Sequence, residues 1–298
     1  MKTAVVMSTY NGEKYIIEQL KTIRLQTISA DEVIISDDGS SDSTSELIRD
    51  YIGRNNLGNW YFSVNEKNLG WKKNFYKLID ECDADLIFLA DQDDIWNKKK
   101  LELMIPAFEN KNVNILACDW DMKSSELDLN YKARNCHKIS RISFSEKFMW
   151  VGYPGCAYCV RKSYFNIIKE WWRDWMPHDA FLFRNAMLDG SLYRIKSNLI
   201  IHRMHGNNAG TPKNFTQPKD DLNYYKNVLA LLNERAMKEK EKKEMPFTIL
   251  SKAAVWFALR EKYYNTKSFL DFLRLFKYRK FYPYFKTYIK ELFVANSK

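Results

Sequence analysis

The sequence predicts an α/β domain built on a mostly parallel sheet. Two observations lead to this prediction. Short, nearly continuous apolar runs alternate with helical patterns through the first half of the chain. Such runs are typical of strands that helices cover on both faces. In addition, three of these runs end in polar segments rich in aspartate. Ligands of parallel sheets bind at the carboxyl ends of the strands, so those segments predict a site.

Five strands are predicted in the first 120 residues. They cover residues 4–9, 32–36, 60–64, 85–90 and 113–120. Helices are predicted between them, at about 13–26, after a cap at Ser41 or Asp42, at 70–82, and from "NKKKLELMIPAF" onward. Further along, "VGYPGCAYCVRKSYF" reads as a turn, a strand and a helix start, and a helix is predicted from near Pro177. The segment "SLYRIKSNLIIHRMHGNNAG" reads as two short strands and a polar loop.

Composition bounds the class of protein. The 298 residues suit one large domain or one domain with an appendage, and 46% of them are hydrophobic, enough for a core. We divide the chain into a domain at 1–217, with halves at about 1–120 and 121–217, and a helical extension at 218–298. No apolar run approaches 18 residues, so no transmembrane helix is predicted. The five scattered cysteines favour a reducing cytoplasm, and Cys156 and Cys159 read as small packed residues.

The basic charge belongs to the C-terminal part of the chain. The net charge is +10, and residues 226–298 hold 17 basic and 7 acidic residues, which leaves the first 225 residues neutral. Fourteen aromatic residues are interleaved with Lys and Arg in 256–293. Helical spacing places Phe269, Phe272, Leu273 and Phe276 on one stripe. This pattern predicts contact with an anionic membrane surface. The alternatives are packing on the body of the protein or a homodimer interface.

The three polar strand ends predict one metal and phosphate site. They read "STYNGE", "SDDGSSD" and "DQDDIW". Carboxylates at the end of a buried strand need a partner, and hard cations such as Mg²⁺ or Mn²⁺ prefer oxygen ligands. We therefore expect Asp91 and Asp93 to bind a divalent cation that bridges to a diphosphate. The alternative is a helix cap from Asp94 or Asn97. Neither GxxxxGK[ST] nor GxGxxG is present, which argues against a P-loop ATPase or a dinucleotide dehydrogenase.

Several motifs together resemble a known family. They are "VVMSTYNGEKYIIEQLKTIRLQT", "DEVIISDDGSSDST", "NLGWKKNF", "FLADQDDIW", "GCAYCVRKSYF", "HDAF" and "HRMHGNNAG". In this order and spacing they resemble family 2 glycosyltransferases with the GT-A fold, densely over the first 120 residues. "DQDDIW", "HD" and "HGNN" are similar to bacterial rhamnosyltransferase-like members that build capsule, O-antigen or cell-wall polysaccharide.

The resemblance implies roles for individual residues. Asp179 matches the catalytic base, while Asp93 and His205 match metal-binding positions. The residues implied for the nucleotide-sugar are Thr9, Tyr10, Glu13, Asp38, Lys72, Lys73, Asp91 and Gln92. Those implied for the acceptor or sugar side are Trp96, Gly155 and His178. The alternatives are a helix-dipole charge for Asp179, a loop residue for His205 and a surface residue for His178. For His202 we expect a structural role.

The resulting hypothesis is an inverting, metal-dependent glycosyl transfer at the cytoplasmic face of the membrane. One carboxylate removes the proton of the acceptor hydroxyl, and a metal stabilises the leaving diphosphate. The donor expected from the resemblance is dTDP-rhamnose, with a UDP-hexose as the alternative, and the acceptor is a glycan or a lipid-linked saccharide. A nucleotidyltransferase and a nucleic-acid binder are the rival classes. The neutral body with its acidic site disfavours nucleic acid as a partner.

Overall fold

The computed structural model describes most of the chain, in two units. The described residues are 1–123, 135–205, 218–241 and 246–294. The first unit comprises Met1–Ile142, Tyr153–Ala186 and Ser191–Thr211. The second comprises Ser143–Gly152, Met187–Gly190 and Pro212–Lys298. The second unit therefore includes two short segments that the predicted boundary at residue 217 leaves in the first domain.

Nine strands and ten α-helices lie within the described residues. The strands are β1 Thr3–Thr9, β2 Glu32–Asp37, β3 Trp60–Val64, β4 Leu86–Ala90, β5 Ile95–Trp96, β6 Ile115–Lys123, β7 Asn135–Arg141, β8 Tyr158–Arg161 and β9 Leu192–Arg203. The helices are α1 Ile16–Arg24, α2 Thr44–Arg54, α3 Trp71–Glu81, α4 Lys100–Met104, α5 Lys162–Ile168, α6 His178–Leu188, α7 Pro218–Glu239, α8 Phe247–Thr266, α9 Phe269–Leu275 and α10 Phe285–Val294.

The strands of the first unit form one sheet. Its order is β3-β2-β1-β4-β8-β6-β9-β5, and β7 pairs with β9. The first four strands of this order are parallel to one another. β8 lies antiparallel between β4 and β6, and β6 is parallel to β9. The predicted α/β architecture is confirmed, with the antiparallel pairs confined to the half of the sheet beyond β4.

The centre of the sheet is dry on both faces. All five residues of β4, "LIFLA", are buried, and so are six of the seven residues of β1. Side chains of a strand alternate between the two faces, so a fully buried strand requires helices on both sides. Polar side chains follow the last residues of β1 and β4, which is where the site lies.

Three predicted elements differ in detail. α2 begins after Ser43 rather than after Ser41 or Asp42. α4 has only five residues because Pro106 follows it, and the chain continues as a 3-10 helix. The two short strands predicted after Ser191 are one strand, β9. Its pairing with β6 jumps from Ile195 to Asn198, and this bulge explains why the sequence reads as two strands.

The second unit packs aromatic residues against one another. Phe272 stacks on Tyr288 at 4.7 Å between ring centroids, and Trp256 stacks on Phe281 at 5.3 Å. Phe272 is buried, so the predicted exposed stripe is wrong at that residue.

No helix in the described part of the chain has both the length and the apolar character needed to cross a bilayer.

A buried ion pair joins α8 to α10. Arg260 Nε donates to Glu291 Oε1 at 2.8 Å, and the hydroxyl of Tyr264 donates to the other carboxylate oxygen. Both charged residues are buried. Breaking one side of such a pair leaves an uncompensated charge in the interior.

We therefore predict that Glu291→Gln destabilises the protein. The free energy of unfolding should fall by about 3 to 5 kcal/mol because Arg260 stays buried without a carboxylate. Urea denaturation of the full chain measures this change. Lys290→Gln, at the neighbouring exposed position, is the control and should change the free energy by less than about 0.5 kcal/mol. A Glu291→Gln variant as stable as the control would contradict the prediction.

Candidate active site

The polar segments after β1, β2 and β4 lie together at one edge of the sheet. β1 pairs in parallel with both β2 and β4, so the three carboxyl ends share this edge. Direct hydrogen bonds join them. The N–H of Asp38 donates to the Thr9 carbonyl at 2.8 Å, and the N–H of Tyr10 donates to Gln92 Oε1 at 2.9 Å. The predicted convergence of the three strand ends is confirmed.

The carboxylate of Asp37 is satisfied within the protein. It accepts hydrogen bonds from the Thr9 hydroxyl at 2.8 Å and from the N–H and hydroxyl of Ser40 at 2.8 and 2.6 Å. Thr9, which the resemblance implies as a nucleotide-sugar contact, is buried with its hydroxyl on Asp37. Asp37 is not among the residues that the sequence analysis singled out, although it stands beside Asp38 in "SDDGS".

Asp38, which the resemblance implies as a nucleotide-sugar contact, organises the loop before α3. It accepts hydrogen bonds from the backbone N–H groups of Leu69 and Gly70 at 2.8 and 2.7 Å. The side-chain amide of Asn65 donates to it at 2.9 Å. Gly70 has a φ of 79°, a conformation that favours glycine. The Asp38 carboxylate thus fixes the "NLGW" turn that precedes α3.

Gln92 ties the end of β4 to the end of β1. Its side-chain amide accepts from the Tyr10 N–H and donates to the Tyr10 carbonyl at 3.0 Å. A Cβ at Gly12 would lie 2.3 Å from Gln92 Oε1, so this packing requires glycine there. The Tyr10 ring and the Glu13 side chain are exposed, and Glu13 accepts the Ser43 N–H at 3.0 Å. Gln92 therefore shapes the loop whose Tyr10 faces solvent.

An acidic centre follows β4 and contacts the end of β9. Asp94 is fully buried, and its Oδ1 lies 2.9 Å from His202 Nδ1. Asp93 is also buried, and its Oδ2 lies 2.7 Å from His205 Nε2. Asp91 is half-buried beside them. The structure thus brings together Asp93 and His205, the two residues matched to metal-binding positions.

The helix-cap interpretation of Asp94 is wrong. Its carboxylate bonds to His202 and to the backbone N–H of Arg203, at 3.2 Å, rather than to a helix terminus. The α4 helix begins after Lys99, whose N–H donates to Asn97 Oδ1 at 3.0 Å. Asp94 therefore belongs to the site.

The acidic centre has donor atoms suited to a divalent cation. Ligand atoms of Asp91, Asp94, Cys156 and His202 all lie within 4.8 Å of one another. Asp94 Oδ2 is buried and has no hydrogen-bond partner among the described residues. Burial raises the pKa of the Cys156 thiol well above its ordinary value, so Cys156 stays neutral. The remaining carboxylate and imidazole donors fit Mn²⁺ or Mg²⁺.

The electrostatics of the centre favour an added positive charge. Burial, reinforced by the charges of Asp94 and Asp93, raises the pKa of Asp91 to about 8. Burial and the Asp94 charge also raise the pKa of Asp93. Burial opposes a charged His202, but its hydrogen bond to Asp94 and the neighbouring carboxylates raise its pKa to about 9. One imidazolium therefore offsets only part of the charge that three ionised aspartates would carry.

Arg203 holds the acidic loop in place, and the sequence analysis did not single it out. Its Nε donates to the Asp93 carbonyl at 3.0 Å, and its guanidinium also pairs with Glu18 of α1. The Tyr15 ring lies against both Arg203, at 4.4 Å, and His205, at 4.9 Å. The only sequence signal for Arg203 is its place between the two histidines of "HRMH".

Asp179 and His178 begin α6, an element that does not carry any residue of the acidic centre. Asp179 is half-buried, and its Oδ1 accepts the N–H of Ala180 at 2.7 Å. His178 is buried and stacks on Phe75 at 4.1 Å between ring centroids. Burial lowers the pKa of His178 to about 4, against the opposing charge of Asp179. The surface interpretation of His178 is therefore wrong, and its ring is neutral at pH 7.

Lys72 and Lys73 connect α3 to the segment before α6. Lys72 Nζ donates to the Trp175 carbonyl at 3.0 Å, and Lys73 Nζ lies 3.2 Å from Asp174 Oδ2. The second of these pairs is exposed on both sides, so solvent screens it. Both ammonium groups thus have partners on the segment that leads into α6, the helix that carries Asp179.

Trp96 is a core residue, which corrects its prediction as a sugar contact. It is 1% exposed, and Lys100 Nζ lies 3.4 Å from its ring centroid. Lys100 is itself buried and donates to the Cys156 carbonyl at 2.7 Å. Burial lowers the pKa of Lys100. With its ring buried and one face under Lys100, Trp96 presents no surface to a sugar.

Solved structures share the fold of this chain. The Staphylococcus aureus TarS 1–349 structure in complex with UDP-GlcNAc superposes with a TM-score of 0.61 at 18% identity, over 78% of this chain and 66% of that chain. The Pyrobaculum calidifontis mannosyltransferase PcManGT, in complex with GDP-Man and Mn²⁺, gives 0.58 at 13% identity, over 99% and 85%. These likenesses confirm the GT-A fold.

Sequence comparison identifies the family. The dTDP-rhamnosyl transferase RfbG of Shigella flexneri is 34% identical over 219 residues, 68% of this chain and 72% of that protein. A Campylobacter jejuni GalNAc(5)-diNAcBac-PP-undecaprenol beta-1,3-glucosyltransferase is 23% identical over 88% of this chain and 84% of its own length. The model of glycosyl transferase family 2 matches residues 4–216. The chain is a glycosyltransferase and belongs to glycosyl transferase family 2.

Proposed function

We propose that this glycosyltransferase inverts the anomeric centre of a nucleotide-diphospho-sugar as it transfers the sugar. The acceptor is a hydroxyl of a glycan or lipid-linked saccharide in bacterial surface polysaccharide synthesis. The observation that most directly supports this proposal is the acidic centre. It holds three aspartates, two histidines and a buried Asp94 Oδ2 that lacks a hydrogen-bond partner among the described residues. A cation with a bound diphosphate would complete such a centre.

The first donor that we propose is dTDP-rhamnose. The Shigella relative that carries the name dTDP-rhamnosyl transferase supports this choice, at 34% identity. A UDP-hexose is the second candidate, and the TarS structure with UDP-GlcNAc supports it through the shared fold. Tyr10, Glu13 and Asp91 are the proposed nucleoside contacts, since they are exposed or half-buried at the strand ends. Lys72 or Lys73 is proposed to face the diphosphate.

Asp179 is the proposed general base. Its carboxylate takes the proton of the acceptor hydroxyl while that oxygen bonds to the anomeric carbon. The bond from the anomeric carbon to the phosphate oxygen breaks, and the nucleoside diphosphate leaves. This chemistry needs one carboxylate apart from the acidic centre, and Asp179 lies on α6 rather than on the "DQDD" segment.

A divalent cation, Mn²⁺ or Mg²⁺, is the proposed cofactor. Asp93 and His205 would hold it, with Asp91 and Asp94 beside them. When bound, the cation supplies positive charge that stabilises the leaving diphosphate. The residues themselves orient the site. Arg203 fixes the backbone of Asp93, and Asp94 fixes the ring of His202.

The C-terminal helices are proposed to lie on an anionic membrane surface. Seven apolar side chains of α9, the 3-10 helix that follows it and α10 are between 36% and 72% exposed: Phe269, Leu270, Leu273, Phe276, Phe285, Ile289 and Phe293. Phe276 and Phe285, whose ring centroids lie 6.5 Å apart, join the two helices into one apolar face. A bilayer is the environment that buries aromatic residues of a basic helix pair.

The charges around this apolar face support the same partner. Between Phe269 and Val294 the acidic residues are Asp271 and Glu291, and both are buried in ion pairs. The basic residues are exposed: Arg274, Lys277, Arg279, Lys280, Lys286 and Lys290. A wholly basic rim complements anionic lipids and repels a second copy of itself. We therefore propose a cytoplasmic enzyme that is peripheral at the inner face of the membrane.

We predict that Asp179→Asn slows transfer by about 10² to 10⁴-fold, because the amide cannot accept the proton. Donor binding should be unchanged, since Asp179 acts on the acceptor. Release of nucleoside diphosphate from a dTDP-rhamnose and UDP-sugar panel, with an acceptor present, measures the rate. Asp50→Asn, an exposed carboxylate of α2, is the control. Transfer at the wild-type rate by Asp179→Asn would exclude it as the base.

We predict that Mn²⁺ affinity falls as the pH is lowered from 8 to 6. The pKa of Asp91 is raised to about 8, so below this pH a cation must displace its proton. The dissociation constant should rise by up to about tenfold per pH unit for each proton displaced. Calorimetry in buffers of different ionisation enthalpy measures both the affinity and the released protons. Equal affinity at pH 6 and pH 8, with no proton release, would contradict the prediction.

We predict that the full chain sediments with vesicles of phosphatidylcholine containing about one third phosphatidylglycerol, and not with pure phosphatidylcholine. The triple variant Phe269→Ser, Phe285→Ser, Phe293→Ser should bind at least about tenfold more weakly, since it removes three exposed rings. Ile167→Ser, equally exposed on α5, is the control. The alternative outcome is that the wild type does not bind vesicles but forms a dimer in light scattering, and that the triple variant abolishes this dimer. In that case the apolar face is a homodimer interface.

A further inference from the structure

A short turn lies between the acidic centre and the proposed base. It is the 3-10 segment Gly155–Ala157, closed by a hydrogen bond from the Ala157 N–H to the Pro154 carbonyl at 3.0 Å. The Cys156 thiol lies within 4.8 Å of ligand atoms of Asp91 and Asp94. Its neighbour Gly155 faces the other way, toward the start of α6. Cys156 therefore lies beside the acidic centre, and Gly155 packs against the start of the helix that carries the proposed base.

The contact between Gly155 and α6 leaves no room for a side chain. A Cβ at Gly155 would lie 2.7 Å from His178 Nε2 and 3.4 Å from His178 Cε1. It would also lie 3.5 Å from the Cβ of Asp179. A carbon atom essentially never approaches another heavy atom to 2.7 Å without a bond, so either the turn or the His178 ring would have to move.

Neither partner moves easily. On one side, the buried Lys100 holds the turn through a 2.7 Å hydrogen bond to the Cys156 carbonyl. On the other side, Phe75 stacks on the His178 ring, and Trp71 meets its edge at 5.7 Å between centroids. A displaced His178 would carry the adjacent Asp179 with it, because both belong to the first turn of α6.

The ring of His178 is packed without polar partners. Neither Nδ1 nor Nε2 has a hydrogen-bond partner among the described residues, and both are buried. Burying an imidazole without hydrogen bonds costs free energy, and no hydrogen bond fixes the orientation of this ring. Its position is therefore set by packing against the face of Phe75, the edge of Trp71 and the backbone of Gly155. The His178 ring thus fills the space between the turn, Phe75 and Trp71.

We propose that Gly155 and His178 are positioning residues that set where the Asp179 carboxylate stands relative to the acidic centre. The missing Cβ of Gly155 lets His178 pack directly on the turn, and the thiol of the next residue, Cys156, lies within 4.8 Å of carboxylate oxygens of Asp91 and Asp94. The turn Gly155–Ala157 and the His178 ring would therefore fix the distance between the Asp179 carboxylate and the acidic centre. This inference rests on the proposed role of Asp179.

Gly155→Ala tests the proposal. The added methyl group should lower the turnover number for transfer by about 10 to 100-fold, the scale expected for a displacement of about 1 Å. The dissociation constant of the nucleotide-sugar should stay within about twofold, because the Lys100 hydrogen bond holds the turn against the acidic centre and the displacement falls on His178 and Asp179. Gly53→Ala is the matched control, since a Cβ at Gly53 meets nothing within 4 Å. Its turnover number should equal that of the wild type.

A double-mutant cycle separates positioning from a general loss of stability. With His178→Ala already present, the ring that the methyl group strikes is gone, and Gly155→Ala should cost no more than about twofold in turnover. Melting temperatures are measured for each variant alongside. If Gly155→Ala does not accumulate as folded protein, the double variant with His178→Ala should fold. Recovery of folded protein in the double variant would then show the same coupling between the two residues. An equal loss in both backgrounds, or no loss in either, overturns the proposal.

The result is distinguishable from failure of the proposed base. If Asp179→Asn retains full transfer, the base assignment fails whatever Gly155→Ala does. If Asp179→Asn abolishes transfer while Gly155→Ala shows no coupling to His178→Ala, the positioning role alone is wrong.

Discussion

The buried carboxylate of Asp94 is the group on which the arrangement of the site depends. Through Oδ1 it bonds to the His202 ring and to the Arg203 N–H, so it fixes the end of β9 against the segment that follows β4. Arg203 then holds the Asp93 carbonyl. A carboxylate in the interior is costly unless charge offsets it, and only one of its two oxygens has a protein partner among the described residues. The other oxygen is free to bind the divalent cation proposed for this centre.

The two acidic strand ends differ in how their charge is offset. Asp37 and Asp38, after β2, receive hydrogen bonds from backbone and side-chain donors on neighbouring loops. They shape the walls of the site. The aspartates after β4 crowd together instead, and burial with mutual repulsion raises the pKa of Asp91 to about 8. The carboxylates after β2 are therefore satisfied within the protein, whereas those after β4 would be stabilised by the proposed cation.

Much of the fold could be predicted because its strands are uniformly apolar. "LIFLA" and "AVVM" read as buried strands in any context, and the polar residues after them had to lie at one edge of a parallel sheet. β9 could not be read as one strand, because the bulge between Ile195 and Asn198 interrupts its alternation. The stripe of α9 was wrong at Phe272 because tertiary packing against Tyr288 decides its burial.

The site was less predictable than the fold, for a related reason. Sequence reasoning identifies residues that carry charge, but it cannot show which partner each charge finds. Asp94 was open between a cap and the site until its bond to His202 was seen. Trp96 looked suited to a sugar, yet it is buried beneath Lys100. The contact between Gly155 and His178 joins residues far apart in the chain, and a glycine carries no chemical signal of its own.

We propose above all that the acidic centre binds a divalent cation, and that this cation stabilises the diphosphate as it leaves the donor sugar. Incubation of the protein with Mn²⁺, an acceptor and a panel of dTDP- and UDP-sugars, followed by analysis of the nucleotide products, tests it most directly. We expect metal-dependent release of free nucleoside diphosphate with at least one donor. The Asp93→Asn variant should not release nucleoside diphosphate. Release of pyrophosphate, or nucleoside diphosphate formation at full rate without a divalent cation, would contradict it.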